Sequence, residues 1–447
     1  MRRHFWWEAA LLVVLPTLSV LADESTDGKI DQKAQAIHQH VITIDSHVDV
    51  LLPSTPERYY APGHTSQADL AKLQQGGIDV VAFAIAVGPG PKTPEGHAQA
   101  RNEAAEKLKA IQGFVKNHSD QVAFALSPSD IARIHREGKV AVIVSFLNAR
   151  SIGNDLSGID ELYKAGVRIF GFVHAGNNDF ADSSRPTEAD VPPQQHQGLS
   201  PLGKEAVAKL NRLGVIIDVS QLTPEGVLQT LQLSKAPVIA SHSAARALVD
   251  NPRNLSDQEL DAIKANGGVV HVTAFNPYLV SPPENYFDKV TALRTRYGLP
   301  AEFPAGPLGP YSSVQSLGAE RESRFFDDLS ALGSKASLKE YVDHIDYIVK
   351  RIGIDHVGIG SDFNHGAGIY GFNDESEALN VTRELVRRGY SEKQIAKIWG
   401  GNFLRVFNDV EAKSRQLQTA TASTDMTLHD LLPQLASSAL ALTRPAS

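Results

Sequence analysis

Residues 214–254 read GVIIDVSQLTPEGVLQTLQLSKAPVIASHSAARALVDNPRN and contain one complete strand–helix–strand unit. The runs Val215–Gln221 and Pro237–His242 have the near-continuous apolar character of parallel strands that are covered on both faces. The segment between them has the 3.6-residue apolar period of a helix. This stretch therefore predicts one repeat of an α/β protein with a parallel sheet.

The same alternation extends over residues 41–412. A helix start and stop are visible where Ser200-Pro201 leads into Lys204–Leu213, which Gly214 closes. Eight strands predict a closed (β/α)₈ barrel, with a doubly wound open sheet as the alternative, and a ninth run, Val122–Leu126, is expected to be an extra edge element. The six further predicted strands are Val41–His47, Asp79–Val87, Val140–Leu147, Val167–His174, Gly268–Phe275 and His356–Asp362.

Two long connections, Leu51–Ile78 and Val280–Leu338, follow the first and seventh predicted strands. In a barrel both would lie at the carboxyl-terminal mouth, where loops carry function.

The composition of the 447 residues excludes several classes of protein. The apolar fraction of 42% and the charged fraction of 21% are ordinary for a globular chain. A formal net charge of -8 without a basic cluster argues against nucleic-acid binding. The absence of cysteine excludes thiolate zinc and iron–sulfur sites.

The ends of the chain predict export and a tail. Arg2 and Arg3 precede an apolar run that extends to Leu21, so residues 1–22 are expected to be a signal peptide, with a retained inner-membrane signal anchor as the alternative. The expected location is the periplasm. The barrel is predicted over 30–412, and the Ala-, Ser- and Thr-rich residues 413–447 are expected to be a loosely ordered tail.

Histidine and carboxylate side chains stand at the ends of four predicted strands. The first strand ends in His47 and Asp49, and the others end in His174, His242 and Asp362. Because the carboxyl ends of barrel strands converge on one mouth, these side chains are expected to face a common centre. Imidazole and carboxylate are ligands of Zn²⁺, so the pattern indicates a metal-type site.

Three stretches resemble the signature segments of the renal (membrane) dipeptidase family. They are TIDSHVDV (43–50), DHVGIGSDFNH (355–365) and the 214–254 stretch quoted above. The resemblance implies a (β/α)₈ barrel of the metal-dependent amidohydrolase type that holds two zinc ions and cleaves dipeptides. The pattern is also similar to a branch of dipeptidase-like proteins in periplasmic pyoverdine maturation.

The resemblance assigns the first metal to a His-x-Asp pair, a bridging Glu and a late Asp. His47, Asp49 and Asp362 match three of these ligands. The bridging Glu should stand in VSFLNARSIG, where this chain has Leu147. One weakly bound Zn²⁺ is therefore the most that we expect here, with His242 as an additional ligand.

The second metal requires the same Glu and two histidines. His242 matches one of them, but Gln221 stands at the other position in DVSQLT. Two Zn²⁺ ions about 3.5 Å apart repel by roughly 19 kcal/mol at an effective dielectric near 20, and Leu147 cannot offset that repulsion as a shared carboxylate would. The second metal position is expected to be empty.

The peptide-holding residues of the family are retained. Arg253 in DNPRN and Tyr278 in AFNPYLV match the residues that hold the substrate carboxylate. The resemblance gives His174 the role of steadying the tetrahedral oxygen, and Asp362 that of meeting the amine and shuttling the proton. In an active enzyme His174 and Asp362 would be the catalytic residues. His365 has no partner at ligand spacing, so it is expected to be an ordinary loop histidine.

Three hypotheses follow. The first is an exported, non-hydrolytic protein that binds a peptide or a peptide-derived small molecule, such as a pyoverdine-type siderophore precursor, during its maturation. The second is a mono-zinc dipeptidase or amidohydrolase. The third is a structural subunit that docks a partner through Val280–Leu338. The family often forms homodimers, which is the oligomeric state that the resemblance implies.

Overall fold

A computed structural model describes residues 18–61, 63–304 and 308–420. Its strands belong to one sheet in which every pairing is parallel. They are β1 Ile44–Asp49, β2 Val80–Ala86, β3 Val122–Phe124, β4 Val140–Leu147, β5 Val167–Gly171, β6 Ile216–Asp218, β7 Ile239–Ser243, β8 Val269–Val272 and β9 Val357–Ile359.

Eight of these strands form a barrel in chain order. The sheet runs β1-β2-β4-β5-β6-β7-β8-β9, and β3 pairs only with β4, outside this path. The seam between β9 and β1 closes through a parallel bridge between Val48 and Phe363 and through the backbone bond from Asp362 N to His47 O, 3.0 Å long. The predicted (β/α)₈ barrel is confirmed, and so is the edge position of the ninth run.

Helices connect the strands and cover the outside of the barrel. They are α1 Leu18–His38, α2 Leu70–Gly76, α3 Pro94–Asn117, α4 Pro128–Arg136, α5 Ser157–Lys164, α6 Pro201–Leu213, α7 Pro224–Leu233, α8 Asp257–Asn266, α9 Asn276–Leu279, α10 Tyr286–Tyr297, α11 Ala319–Leu332, α12 Leu338–Ile352, α13 Ala378–Arg387 and α14 Glu392–Ala396. A π-helical turn, Lys397–Gly401, leads into a last helix over 402–420.

The sequence signals at α6 act as predicted. The side chain of Ser200 accepts a hydrogen bond from Gly203 N, and Pro201 occupies the first turn, where its missing N–H costs nothing. Gly214 ends the helix with φ of 76°, a left-handed conformation that glycine adopts without strain.

Apolar side chains fill the barrel interior, as they do in barrels of this type. Residues 402–420 contribute Phe403, Val406 and Phe407 to the same cluster, which closes one end of the barrel. The strand residues in the cluster are Ile44, Val80, Ala82, Ala141, Ile143, Ile169, Ile216, Ile239 and Val269.

Four strands end three residues earlier than predicted. They are β5, β6, β8 and β9, which stop at Gly171, Asp218, Val272 and Ile359, so that His174 and Asp362 lie in the loops that follow instead of at the strand ends. Gln221 and Asp362 have φ of 74° and 65°. A left-handed backbone cannot continue a strand, and it turns these side chains over the mouth.

The two long connections contain helices of their own. The first holds a 3₁₀ turn, Glu57–Tyr59, and α2. The second holds α10 and α11, which share a small separate core built from Val290, Leu293, Leu299, Val314, Phe325 and Leu329.

The predicted boundaries differ from the helix ends. The first described helix begins at Leu18, and the last continues to residue 420, eight residues past the predicted end of the barrel. Ser414 in that extension is buried and donates to Arg212 O at 2.6 Å. Residues 1–17 of the predicted signal segment and 421–447 of the predicted tail lie outside the described residues. None of the described helices combines the length and apolarity needed to cross a bilayer.

Candidate functional site

His47, Asp49 and Asp362 meet at the carboxyl-terminal mouth of the barrel. Nε2 of His47 lies 3.5 Å from Oδ1 of Asp49 and 3.9 Å from Oδ1 of Asp362. The first two residues lie on β1 and the third follows β9, so the site spans the barrel seam. All three side chains are buried.

The two carboxylates lie near the His47 ring nitrogen at spacings close to those of metal ligands. Ligand atoms about 2.0–2.1 Å from a tetrahedral Zn²⁺ stand about 3.4 Å apart. Oδ1 of Asp49 has no hydrogen-bond partner among the described residues, so it retains the lone pairs that a cation needs. The ligand types of His47, Asp49 and Asp362 therefore suit a divalent cation, but the described group whose ligand atoms all lie within 4.8 Å of one another is a different one, in which His47 is joined by two residues on other strands.

The ring of His242 stacks on the ring of His47, with 3.9 Å between the two centroids. Nε2 of His242 is 3.0 Å from Nε2 of Gln221, and NH2 of Arg185 is 2.5 Å from Oε1 of the same amide. A guanidinium only donates, so the amide oxygen faces Arg185 and the amide nitrogen donates to His242. The lone pair that a metal would use is thus engaged in a hydrogen bond.

The hydrogen bonds continue beyond His242. A neutral imidazole that accepts at Nε2 carries its proton at Nδ1, and this atom is 2.7 Å from Oγ of Ser241. The hydroxyl of Ser241 donates to Oδ2 of Asp218 at 2.5 Å. Each contact in the series from NH2 of Arg185 through Gln221, His242 and Ser241 to Asp218 therefore pairs a donor with an acceptor.

The sequence reasoning did not single out Asp218. Ligand atoms of His47, Asp218 and His242 lie within 4.8 Å of one another, which is a metal-type grouping. However, Oδ1 of Asp218 accepts two backbone N–H groups and Oδ2 accepts Ser241, so its oxygens already have partners. Asp218 orients His242 through Ser241. Its position at the end of an apolar run is the sequence signal that could have identified it.

Leu147 faces the interior of the barrel beside this group. It ends β4 and packs with Ala84 and Ala86 of β2. A Cβ placed on Gly171 would lie 2.6 Å from Cδ1 of Leu147 and 3.6 Å from Oδ2 of Asp218, so the leucine and the aspartate are neighbours. An apolar side chain therefore stands at the position where the resemblance implies a bridging carboxylate.

His365 lies in a loop, as expected, but the expectation that it has no partner is wrong. Its Nδ1 lies 2.8 Å from Oδ2 of Asp49, and its ring lies edge-on to His174 at 5.0 Å. Burial alone would raise the pKa of Asp49, but the charge and hydrogen bond of His365 hold that pKa well below its usual range. No period or strand end marks this residue, because it lies in a loop whose path the sequence pattern does not reveal.

Burial and neighbouring charges shift the pKa values of His47 and His242 in opposite directions. Burial would lower the pKa of His47, but the carboxylates of Asp49 and Asp362 together raise it. Burial and the nearby His47 lower the pKa of His242 well below its usual range, which keeps this imidazole neutral. Burial also raises the pKa of Asp362.

Arg253, Tyr278 and His174 lie at the same mouth. NH2 of Arg253 donates to His242 O at 2.8 Å, and its guanidinium carbon is 5.1 Å from the centroid of the Tyr278 ring. Nδ2 of Asn254 donates to Tyr278 O at 2.8 Å and so ties the two loops together. Nδ1 of His174 and Nε of Arg253 are buried without partners among the described residues. Burial and the charge of Arg185 lower the pKa of His174 well below its usual range.

A column of stacked side chains connects both long connections to the site. The guanidinium carbon of Arg58 lies 4.6 Å from the ring centroid of Tyr59 and 3.9 Å from that of Phe326. The Tyr59 ring stacks on His365 at 5.1 Å, and Tyr311 stacks on Phe326 at 5.6 Å. The helical insertion after β8 therefore contacts the loop after β1 beside the candidate site.

Comparison with known proteins identifies relatives along nearly the whole chain. A family model described as membrane dipeptidase, peptidase family M19, matches residues 31–421. Dipeptidase tcpJ of Claviceps purpurea is 29% identical over 377 residues, which cover 82% of this chain and 74% of that protein.

Solved structures show the same architecture. The crystal structure of the probable dipeptidase PvdM from Pseudomonas aeruginosa is 42% identical and has a TM-score of 0.75, with 86% of this chain and 99% of that chain covered. A metallo peptidase from Rhodobacter sphaeroides, liganded with a phosphinate mimic of the dipeptide L-Ala-D-Ala, is 23% identical with a TM-score of 0.63. It covers 83% of this chain and 99% of its own, and at this identity the likeness concerns the fold.

Proposed function

The chain belongs to the membrane dipeptidase family, peptidase family M19, and we propose that it binds a peptide without hydrolysing it. One observation carries this proposal: the amide of Gln221, oriented by Arg185, donates to Nε2 of His242. A metal at the second position would have to displace that hydrogen bond and would gain only the neutral amide oxygen in return.

The apolar side of the site supports the same conclusion. Leu147 is 1% exposed and packs against two alanines, so no carboxylate bridges the two metal positions. Without a shared anion, the mutual repulsion of two adjacent dications is not offset. A dinuclear zinc centre of the kind that the family resemblance implies therefore does not fit these residues.

By contrast, the residues that the family resemblance assigns to peptide binding are retained. Arg253 is buried, with Nε unpartnered and one face against Tyr278. A guanidinium suits a peptide's terminal carboxylate because it can donate two parallel hydrogen bonds. We assign Arg253 and Tyr278 to the terminal carboxylate and His174, which keeps a buried unpartnered nitrogen, to the adjacent peptide carbonyl.

We further propose that the protein works after export. Residues 1–22 have the pattern of a signal segment, which leaves a soluble or membrane-anchored periplasmic protein. The ligand would then be a peptide in maturation, such as a pyoverdine-type siderophore precursor. The 42% identity to the probable dipeptidase PvdM supports assignment to the same branch of the family.

A mono-zinc dipeptidase is the second candidate. The ligand types of His47, Asp49 and Asp362 favour it, because an imidazole and two carboxylates suit Zn²⁺ and both carboxylates lie within 3.9 Å of the ring nitrogen. When bound, such an ion would supply Lewis acidity. Asp362, whose pKa is raised by burial, would take and return the proton.

Calorimetry and product analysis with L-Ala-L-Ala distinguish the two candidates. We expect binding without hydrolysis, in the presence or absence of added Zn²⁺. Arg253→Met should weaken binding about tenfold or more, because a charged hydrogen-bond donor is lost. Arg133→Met, an exposed arginine on α4, is the matched control.

Turnover that a chelator abolishes and Zn²⁺ restores would replace the first candidate by the second. If neither binding nor turnover is detected with this dipeptide or with longer peptides, the peptide-binding proposal is wrong.

A further inference from the structure

The mouth of the barrel holds two arginines that lack acidic partners. Among the described residues, no carboxylate lies within 4.0 Å of a guanidinium nitrogen of Arg185 or of Arg253. The Nε atoms of both side chains are buried without a hydrogen-bond partner. Arg253 is buried, and a buried guanidinium without an anion is unfavourable. Arg185 is half-buried and keeps a buried, unpartnered Nε, so both groups can receive an anion that comes from solution.

The carboxylates of the site already have other partners. Asp49 pairs with His365 at 2.8 Å, and Asp362 faces His47 at 3.9 Å. Asp218 accepts the hydroxyl of Ser241 and two backbone N–H groups. None of these acids is free to turn toward the arginines without breaking a contact of its own.

Each arginine contacts one member of a hydrogen-bonded pair. Arg185 donates to the side chain of Gln221, Gln221 donates to His242, and Arg253 donates to His242 O. The two guanidinium groups therefore lie at the same mouth, and the charges of both lower the pKa of His174. Arg185 reaches the mouth from the loop after β5, and Arg253 reaches it from the loop after β7.

We propose that Arg185 is a second anion-binding residue and that the natural ligand carries two anionic groups. The inference rests on the proposed function, in which Arg253 takes the terminal carboxylate. Arg185 then takes the other, which an acidic residue next to the peptide end would provide. The fixed charge of Arg185 stands beside Gln221, where the family resemblance implies a metal ligand, so the cleft keeps a cationic group there.

Two pairs of dipeptides test this proposal, because each pair differs only in one charge. L-Ala-L-Glu is compared with L-Ala-L-Gln, and L-Glu-L-Ala with L-Gln-L-Ala, by calorimetry. In one of the two orders, the acid should bind the wild-type protein about tenfold more tightly than its amide or better. This comparison needs no variant, so it remains decisive even if a substitution impairs folding.

The variant Arg185→Met tests whether Arg185 causes the preference for the acidic peptide. In Arg185→Met the advantage of the acid should fall to about twofold or less, whereas Arg133→Met should keep it. Equal affinities for acid and amide in both orders would overturn the inference and leave the proposed function intact. An acid preference that persists in Arg185→Met would also overturn it. If none of the four peptides binds, the proposed function fails together with the inference.

Discussion

Gly171 leaves room for the leucine that lines the candidate site. It ends β5, and a Cβ at this position would lie 2.6 Å from Cδ1 of Leu147. Leu147 is buried between this glycine and the alanines of β2, so it has little space into which to move. The leucine at position 147 therefore fits only because position 171 has no side chain.

We predict that Gly171→Ala lowers the free energy of unfolding by about 1–3 kcal/mol, because the added methyl group overpacks the barrel. Gly113→Ala is the control, since that helical glycine has open space around its Cβ position and should gain about 0.5–1 kcal/mol. Urea unfolding measures both. In the Leu147→Ala background the new methyl should cost nothing. An unchanged stability in Gly171→Ala would disprove this packing.

Some residues of the site could be predicted from the sequence, and others could not. His47, Asp49 and His242 stand at or beside the ends of apolar runs, where barrel geometry forces convergence. Arg185 and His365 lie in irregular loops. No periodicity describes the path of such loops, so their contacts with Gln221 and Asp49 became visible only in three dimensions.

Short elements after β9 hold the loops of the mouth in place. The 3₁₀ turn Glu375–Glu377 lies between the loop after β1 and the barrel, and Glu375 N donates to Gln67 O at 2.9 Å. The side chain of Glu375 is fully buried beside Asp45 of β1. Neither oxygen of Glu375 meets a donor in the described part of the chain, and this environment favours the protonated form of the carboxyl group.

Burial and the neighbouring Asp45 raise the pKa of Glu375 well above its ordinary value. The pKa of this carboxyl group is higher in the folded than in the unfolded protein. Its contribution to the free energy of unfolding is therefore complete at pH below the unfolded pKa of about 4.3, and it declines as the pH rises toward the folded pKa. We predict that Glu375→Gln, which is neutral at every pH, reduces the loss of stability between about pH 5 and about pH 8.

Chemical unfolding at several pH values measures this effect. The exposed Glu392→Gln should leave the wild-type pH profile unchanged. If Glu375→Gln shows the same decline in stability as the wild-type protein, the raised pKa of Glu375 is not the cause of that decline.

The sequence predicted a strand wherever burial on both faces of the sheet requires a continuous apolar run. All eight barrel strands were predicted for this reason, and β4 has the predicted bounds, Val140–Leu147. Strand ends were less predictable, because β6 and β9 end three residues before the left-handed positions Gln221 and Asp362, and no change in the apolar pattern marks these ends. The α10–α11 pair was expected only as a long connection, since its small core is local to the insertion.

At the scale of the whole molecule, the barrel brings together side chains that are far apart in sequence. His47 and Asp362 meet across the seam, Gln221 contacts His242, and Leu147 lies beside Asp218. The barrel mouth holds the cationic group of Arg253, and Leu147 stands where the family resemblance implies a bridging carboxylate. These two features are the basis of the proposal that the mouth binds a peptide without hydrolysing it.

Elemental analysis of protein purified without chelators tests this central claim most directly. We predict less than one zinc ion per chain after desalting, and a gain of bound zinc in the double variant Leu147→Glu, Gln221→His, which supplies a bridging carboxylate and an imidazole. Wild-type protein that retains two zinc ions per chain through desalting would contradict the claim.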